Sequence, residues 1–214
     1  MQKLLVVAAA GGLGSAVVRE ALQRNLSVSV LVRSPDKLRE VLGPADVARL
    51  QAVHVGSAAD AASVAAALQG GVDAVISCAP PDPVVAHTLA HACVQAGAKI
   101  MWTAGACTAQ RVRGTLVPVC TAERVTTAAR AGGSNLYEAD GVTLHYKAFG
   151  PSGDGYYKAH TPCIDAVKAT GATHIIWCPG LMKNGQRSTP PPKTLLFADP
   201  AGLAAWDFVS YRAC

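Results

Sequence analysis

Leu4-Leu-Val-Val-Ala-Ala-Ala-Gly11-Gly12-Leu-Gly14-Ser-Ala-Val-Val18, running on to Leu31-Val32-Arg33, is the stretch from which the architecture follows. The seven apolar residues Leu4 to Ala10 are too few to span a membrane and read as a strand buried on both faces. Beyond the glycines, Gly14, Val17, Val18, Ala21 and Leu22 fall at i, i+3, i+4, i+7 and i+8, one stripe of an amphipathic helix. A second apolar strand, Val28 to Val32, follows at once. Strand, glycine-rich turn, helix and strand in this short compass make a βαβ unit, the opening of a doubly wound parallel α/β sheet with helices on both faces.

The residue types in the turn have a chemical reading. Gly11 and Gly12 let the backbone turn sharply and approach a pyrophosphate, while Gly14 lets the helix pack closely on the strand. Amide N–H groups at the helix start then face the phosphate, and the helix dipole reinforces them, so Ala8, Ala10, Gly11, Gly12, Leu13 and Gly14 form the expected phosphate loop. Its spacing is A-x-x-G-x-x-G, with Ala8 where a first glycine is usual. Arg33 closes the second strand at the place where a NAD site carries an acid for the ribose 2′-hydroxyl. A cation there, with Lys37 and Arg39 following, suits a 2′-phosphate, so NADP is expected rather than NAD.

At 214 residues the chain is long enough for one full α/β core and short for two ordinary domains. With 50% hydrophobic and only 15% charged residues, it suits a sheet sandwiched between helix layers. The net charge of +5 is spread along the chain, so no nucleic-acid footprint is expected. Seven cysteines without a C-x-x-C pair point away from a disulfide framework or zinc site and toward a reducing compartment. Only Lys3 precedes the short apolar run, so a cytoplasmic location is expected over secretion, and no membrane span is found.

Further along, a short helical stretch leads through Gly43-Pro44 to a third strand, Leu50 to His54, closed by Gly56-Ser57. Ala61, Val64, Ala65 and Leu68 mark a helix that Gly70-Gly71 stops, and Val72 to Cys78 is the fourth strand, broken by Ala79-Pro80-Pro81. Loops beyond the carboxyl ends of such strands form the ligand crevice, which places Cys78, Ala79 and Pro80 beside the cofactor. The next helix is expected to bury Val85, Leu89, Ala92 and Ala96, and the fifth strand is Lys99 to Thr103. His87 and His91 stand at i and i+4, a spacing that can clamp a metal, but about 200° and 240° round from Val85, on the side expected to face water. No metal site is expected.

The segment 104–154 has weaker patterning: Ala122 to Ala131 reads as helix and Val142 to Tyr146 as strand. A long connection leaving a central strand is placed to cover a substrate, so the chain reads as a single domain, 1–214, with a lid-like insertion at 104–154. Tyr156-Tyr157-Lys158 is read as the start of the next helix, with Cys163, Ile164 and Val167 on its inner side. His174 to Cys178 is a sixth strand and Thr194 to Ala198 a short one.

Taken together, these landmarks resemble the atypical short-chain dehydrogenase/reductases, in particular the compact NAD(P)H-binding branch related to NmrA-like proteins and biliverdin reductase B. The likeness rests on Ala8-Ala-Ala-Gly11-Gly-Leu-Gly14 against G-A-T-G-x-x-G and on Leu31-Val-Arg33-Ser-Pro-Asp-Lys37-Leu against L-V-R-x-P-x-K-L. Leu68 to Ile76, Tyr157-Lys158, Cys178-Pro179-Gly180 and the terminal Trp206–Cys214 add weaker matches. The resemblance implies a Rossmann fold and a site in which Lys158 holds the nicotinamide ribose. It also places Tyr157 and Thr103 at the reacting end and Ser57 and Pro179 against the cofactor. Ala8, Cys178 and Ser57 depart from the family's glycine, arginine and aspartate. So does Asp154, which stands where the tyrosine of Y-x-x-x-K is expected. Two functions remain open at this level: a reductase that uses NADP(H) on a small, uncharged or aromatic substrate, and a non-catalytic NADP(H) sensor that signals to a protein partner. An isomerase or epimerase is a third. Oligomeric state is left open.

Overall fold

The computed structural model describes main chain and side chains for residues 2–104 and 159–177, and main chain alone for helix 151–158 and six short strands at 109–112, 115–118, 136–137, 144–146, 194–197 and 206–209. The chain divides into two compact units, residues 1–103 with 166–175, and residues 104–165 with 176–214.

The first unit alternates strand and helix: β1 (Lys3–Val7), α1 (Gly12–Gln23), β2 (Ser27–Val32), α2 (Pro35–Leu42), α3 (Pro44–Ala48), β3 (Ala52–Val55), α4 (Ala61–Leu68), β4 (Ala74–Ser77), α5 (Pro83–Ala96) and β5 (Lys99–Thr103). These strands, with β10 (His174–Trp177) from further along the chain, form a six-stranded parallel sheet in the order β10-β5-β4-β1-β2-β3. The order reverses between β1 and β4, so the chain leaves in opposite directions at that point and opens a crevice beyond the strand ends. This is the doubly wound fold the βαβ opening implied.

Alternation along the strands feeds two helix layers. Val6, Val28, Val30 and Val32 face α1 and α2, where they meet Val18, Ala21, Leu22, Leu38 and Leu42 in one buried cluster. Each such fully buried Val or Leu contributes about 2 kcal/mol of transfer free energy. Leu5, Leu31 and Val75 face the opposite side, where Leu31 and Ser63 of α4 close around Gly56. On that side α4 packs beside α5.

Three sequence expectations shift in register. The apolar run from Leu4 is strand only to Val7, because Ala8 takes a left-handed conformation (φ 60°) and turns the chain out of the sheet. In α5 the buried residues are Val85, Ala86, Leu89, Ala90 and Cys93, so Ala92 and Ala96 are not on the core stripe. The helix read as starting at Tyr156 starts at Pro151: α6 runs Pro151–Ala169, with Cys163, Ile164 and Val167 fully buried as expected and Gly171 (φ 72°) following its end.

The second unit carries three antiparallel pairs: β6 (Ala109–Val112) with β7 (Thr115–Pro118), β8 (Leu136–Tyr137) with β9 (Leu144–Tyr146), and β11 (Thr194–Phe197) with β12 (Trp206–Val209). The strands expected near 142–146 and 194–198 are thus present, whereas the helix expected at 122–131 lies outside the described residues. No helix among the described residues is long and apolar enough to cross a membrane.

Candidate functional site

The loop leaving β1 is tied at both ends by its own backbone. The N–H of Ala8 donates to the carbonyl of Leu31 at 3.2 Å, and the carbonyl of Ala8 accepts from Gly11 N–H at 3.0 Å. The sharp turn expected of Gly11 and Gly12 is made by Ala8 instead; Gly11 has an ordinary extended backbone (φ −87°, ψ 166°). Left-handed φ costs an L-residue about 1 kcal/mol relative to glycine, so the loop holds that strain at the position where glycine is usual. Gly14 does what its place in the motif implies. A Cβ on it would stand 2.4 Å from the Ala8 carbonyl oxygen and 2.8 Å from the Ala9 Cα, both backbone atoms that cannot yield.

Helix α1 begins on Gly11 with no side-chain cap. Its first-turn amides, on Gly12, Leu13 and Gly14, therefore lack a side-chain acceptor. The other three helices of eight or more residues in this unit are closed. Ser34 Oγ accepts from Lys37 N–H at 3.2 Å, Asp60 Oδ2 from Ser63 N–H at 2.9 Å, and Asp82 Oδ1 from the amides of Val84 and Val85 at 2.8 and 3.3 Å. The hydrogen bonds from Ser63 hold the Asp60 carboxyl below its ordinary range. The open amides and dipole of α1 thus form an anion-receptive end at the switch point.

On the neighbouring strand, Cys78 N–H donates to the Val7 carbonyl at 3.1 Å, which brings Cys78, Ala79 and Pro80 beside the start of the β1 loop. Cys78 is half-buried against the α1-side core, and burial pushes its thiol up to about 12, so it is a protonated wall and not a nucleophile. Thr103 ends β5, and strand alternation puts it on the same sheet face as Met101, Ile76 and Val6. Its Oγ1 is buried and has no hydrogen-bond partner among the described residues. Such orphans are uncommon in folded interiors and mark a place where a ligand can supply the missing bond.

Sequence reasoning missed Ser77. It sits in one row with Val7 and Trp102 across β1, β4 and β5, and its Oγ and the Trp102 Nε1 are likewise buried without partners among the described residues. The available signal was a lone hydroxyl at the end of the apolar run Ala74–Ile76.

At the carboxyl end of β2, Arg33 follows the strand directly and is exposed, as is Lys37. Arg39 is held by Asp36 at 2.7 Å, whereas Arg33 enters no ion pair among the described residues. Ser57, also exposed, turns its Oγ to accept from Ala59 N–H at 3.2 Å. Ala10 and Leu13 are half-buried in the loop and first turn. Tyr157 and Lys158 are consecutive residues inside α6, about 100° apart around the axis, with Asp154 one turn before Lys158. Because α6 already begins at Pro151, no irregular helix start brings them together. Pro179 lies outside the described residues. No three His, Cys, Asp or Glu residues converge on a metal position among the described residues.

Residues 8–195 match the NAD(P)H-binding family, and the chain belongs to it. A short-chain dehydrogenase/reductase from Veillonella parvula shares the fold at 13% identity, with a TM-score of 0.63 over 98% of this chain and 81% of that one. The anaerobillin reductase ChuY from Escherichia coli O157:H7 does so at 15% identity and 0.61 over 91% and 80%. The NAD-bound enzyme WbmG from Bordetella bronchiseptica follows at 19% and 0.53, over 83% of this chain and 52% of that chain. No curated protein matches the chain by sequence.

Proposed function

We propose that the chain is an NADP(H)-dependent reductase acting on a small, uncharged or aromatic substrate. The observation that carries the nucleotide half of this reading is the open N-terminal end of α1 at the sheet's switch point, while the other helices of eight or more residues in the first unit, α2, α4 and α5, are capped. In this reading the pyrophosphate takes the first-turn amides of α1. The 2′-phosphate meets Arg33 and Lys37, since Arg39 is already engaged by Asp36. The solved relatives include an NADP complex of the Veillonella enzyme and an NAD complex of WbmG, so the choice of Arg33 over an acid is what favours NADP.

When bound, the nicotinamide supplies the hydride. The chain's own contribution is to orient it: Thr103 Oγ1 offers a buried hydroxyl without a partner among the described residues, and Lys158 holds the ribose. Segment 104–154 confers substrate choice, within what we read as one functional domain. The spacing of Tyr157 and Lys158 favours the second reading, a nucleotide sensor without turnover that acts on a protein partner, because a tyrosine acid assisted by lysine needs the two a turn apart.

The deciding experiment is calorimetric titration of the protein and of Arg33→Asp with NADPH and NADH, followed by NADPH oxidation assays with quinones, flavins and small carbonyls. The reading expects NADPH to bind at least about tenfold tighter than NADH, an interaction worth about 1.4 kcal/mol, and Arg33→Asp to erase that preference. Equal affinities would remove the NADP assignment. Tight binding with no consumption of NADPH on any acceptor would favour the sensor.

A further inference from the structure

We propose that His87 and His91 form a two-imidazole site for a divalent cation of the zinc class on the outer face of α5. The helix sets them one turn apart on its exposed side, and their ring centroids lie 5.9 Å apart with planes within 9° of parallel. Among the described residues neither ring has a hydrogen-bond or ion-pair partner that would hold it away from an ion.

The spacing is close to what chelation needs, while the rings themselves are stacked. An ion about 2.05 Å from one nitrogen of each ring, at a tetrahedral angle, places the two centroids about 5.2 Å apart. The observed pair must therefore close by about 0.7 Å and also turn its ring planes out of the stack until both in-plane lone pairs meet at the ion, and rotation about χ1 and χ2 of two exposed side chains does both without moving the backbone. The surroundings select the metal. Pro83–Ala96 contains no Asp, Glu, Lys or Arg, so no carboxylate recruits a hard cation and no helix cation repels one. Nitrogen ligands alone favour Zn²⁺, Ni²⁺ and Cu²⁺ over Mg²⁺ and Ca²⁺. Water completes the coordination, which makes the site exchangeable.

The test is equilibrium dialysis of the full chain with Ni²⁺ and, separately, Mg²⁺, on the unaltered protein and four variants. His87→Ala and His91→Ala are each expected to weaken the Ni²⁺ site at least about tenfold, because the second bond of a chelate is intramolecular. Thr88→Ala, on the same turn, should bind as the unaltered chain does. Adding Gln95→His to His87→Ala rebuilds an i, i+4 pair with His91 and should restore the site. Mg²⁺ should not bind. Ni²⁺ affinity unchanged in both single variants, or no rescue by Gln95→His, overturns the proposal.

Discussion

Helices α1 and α5 both start just beyond the carboxyl end of a parallel strand, β1 and β4, on either side of the switch point, yet they begin in opposite ways. Asp82 folds its carboxylate over the first amides of α5, neutralising that end from within, and Pro83 pre-sets the first turn. Gly11 offers α1 nothing, and the chain before it accepts a left-handed alanine to make the turn. One end is built for the stability of the fold and the other is left for an anion. A helix N-terminus is thus informative by what does not cap it.

The strongest way to break this contrast is to deny α1 its seat. Gly14→Ala drives a methyl into the Ala8 carbonyl, and because the collision is with backbone, about 1–3 kcal/mol of stability should be lost in denaturant unfolding, with nucleotide binding lost alongside. Next in size is Gly11→Asp, which gives α1 the cap that α5 has. NADPH affinity should fall at least about a hundredfold by titration, since an internal carboxylate would occupy the amides, while the unfolding free energy stays the same or rises by the few tenths of a kcal/mol that separate Asp from Gly caps. The reciprocal change, Asp82→Ala, should cost about 1 kcal/mol of stability and leave NADPH affinity within about twofold. If it abolished binding instead, the two ends would not have separate roles. Smallest is Ala8→Gly. Relief of the left-handed strain outweighs the greater freedom glycine gives the unfolded chain, for a net gain of about 0.5 kcal/mol in chemical unfolding.

How far the sequence could be read depended on whether a residue's role was local. The strands were legible because Val and Leu runs bounded by glycine have few other uses, and the helix after the third strand because Ala61, Val64, Ala65 and Leu68 form a stripe that Gly70-Gly71 ends. The rotation of α5 was not, since alanines stand all round that helix and carry no directional signal; only packing selects Ala86 and Ala90 over Ala92 and Ala96. The start of α6 was hidden by Gly153 and Gly155, which read as loop yet lie inside the helix. In the site, Gly14 could be read because a fixed spacing from a strand implies its task. Ser77 could not: a hydroxyl counts as unpaired only after every neighbour has been placed.

Trp102 turns that last point into an optical handle. Its indole is fully enclosed at the end of β5 with no partner for its N–H. An excited indole relaxes little where no surrounding dipole can reorient, so this residue should emit well to the blue of a hydrated tryptophan and resist quenching by iodide. With Trp177 and Trp206 replaced by Phe, that row of side chains becomes a built-in lamp, whose colour records whether the first unit is folded before any ligand is added.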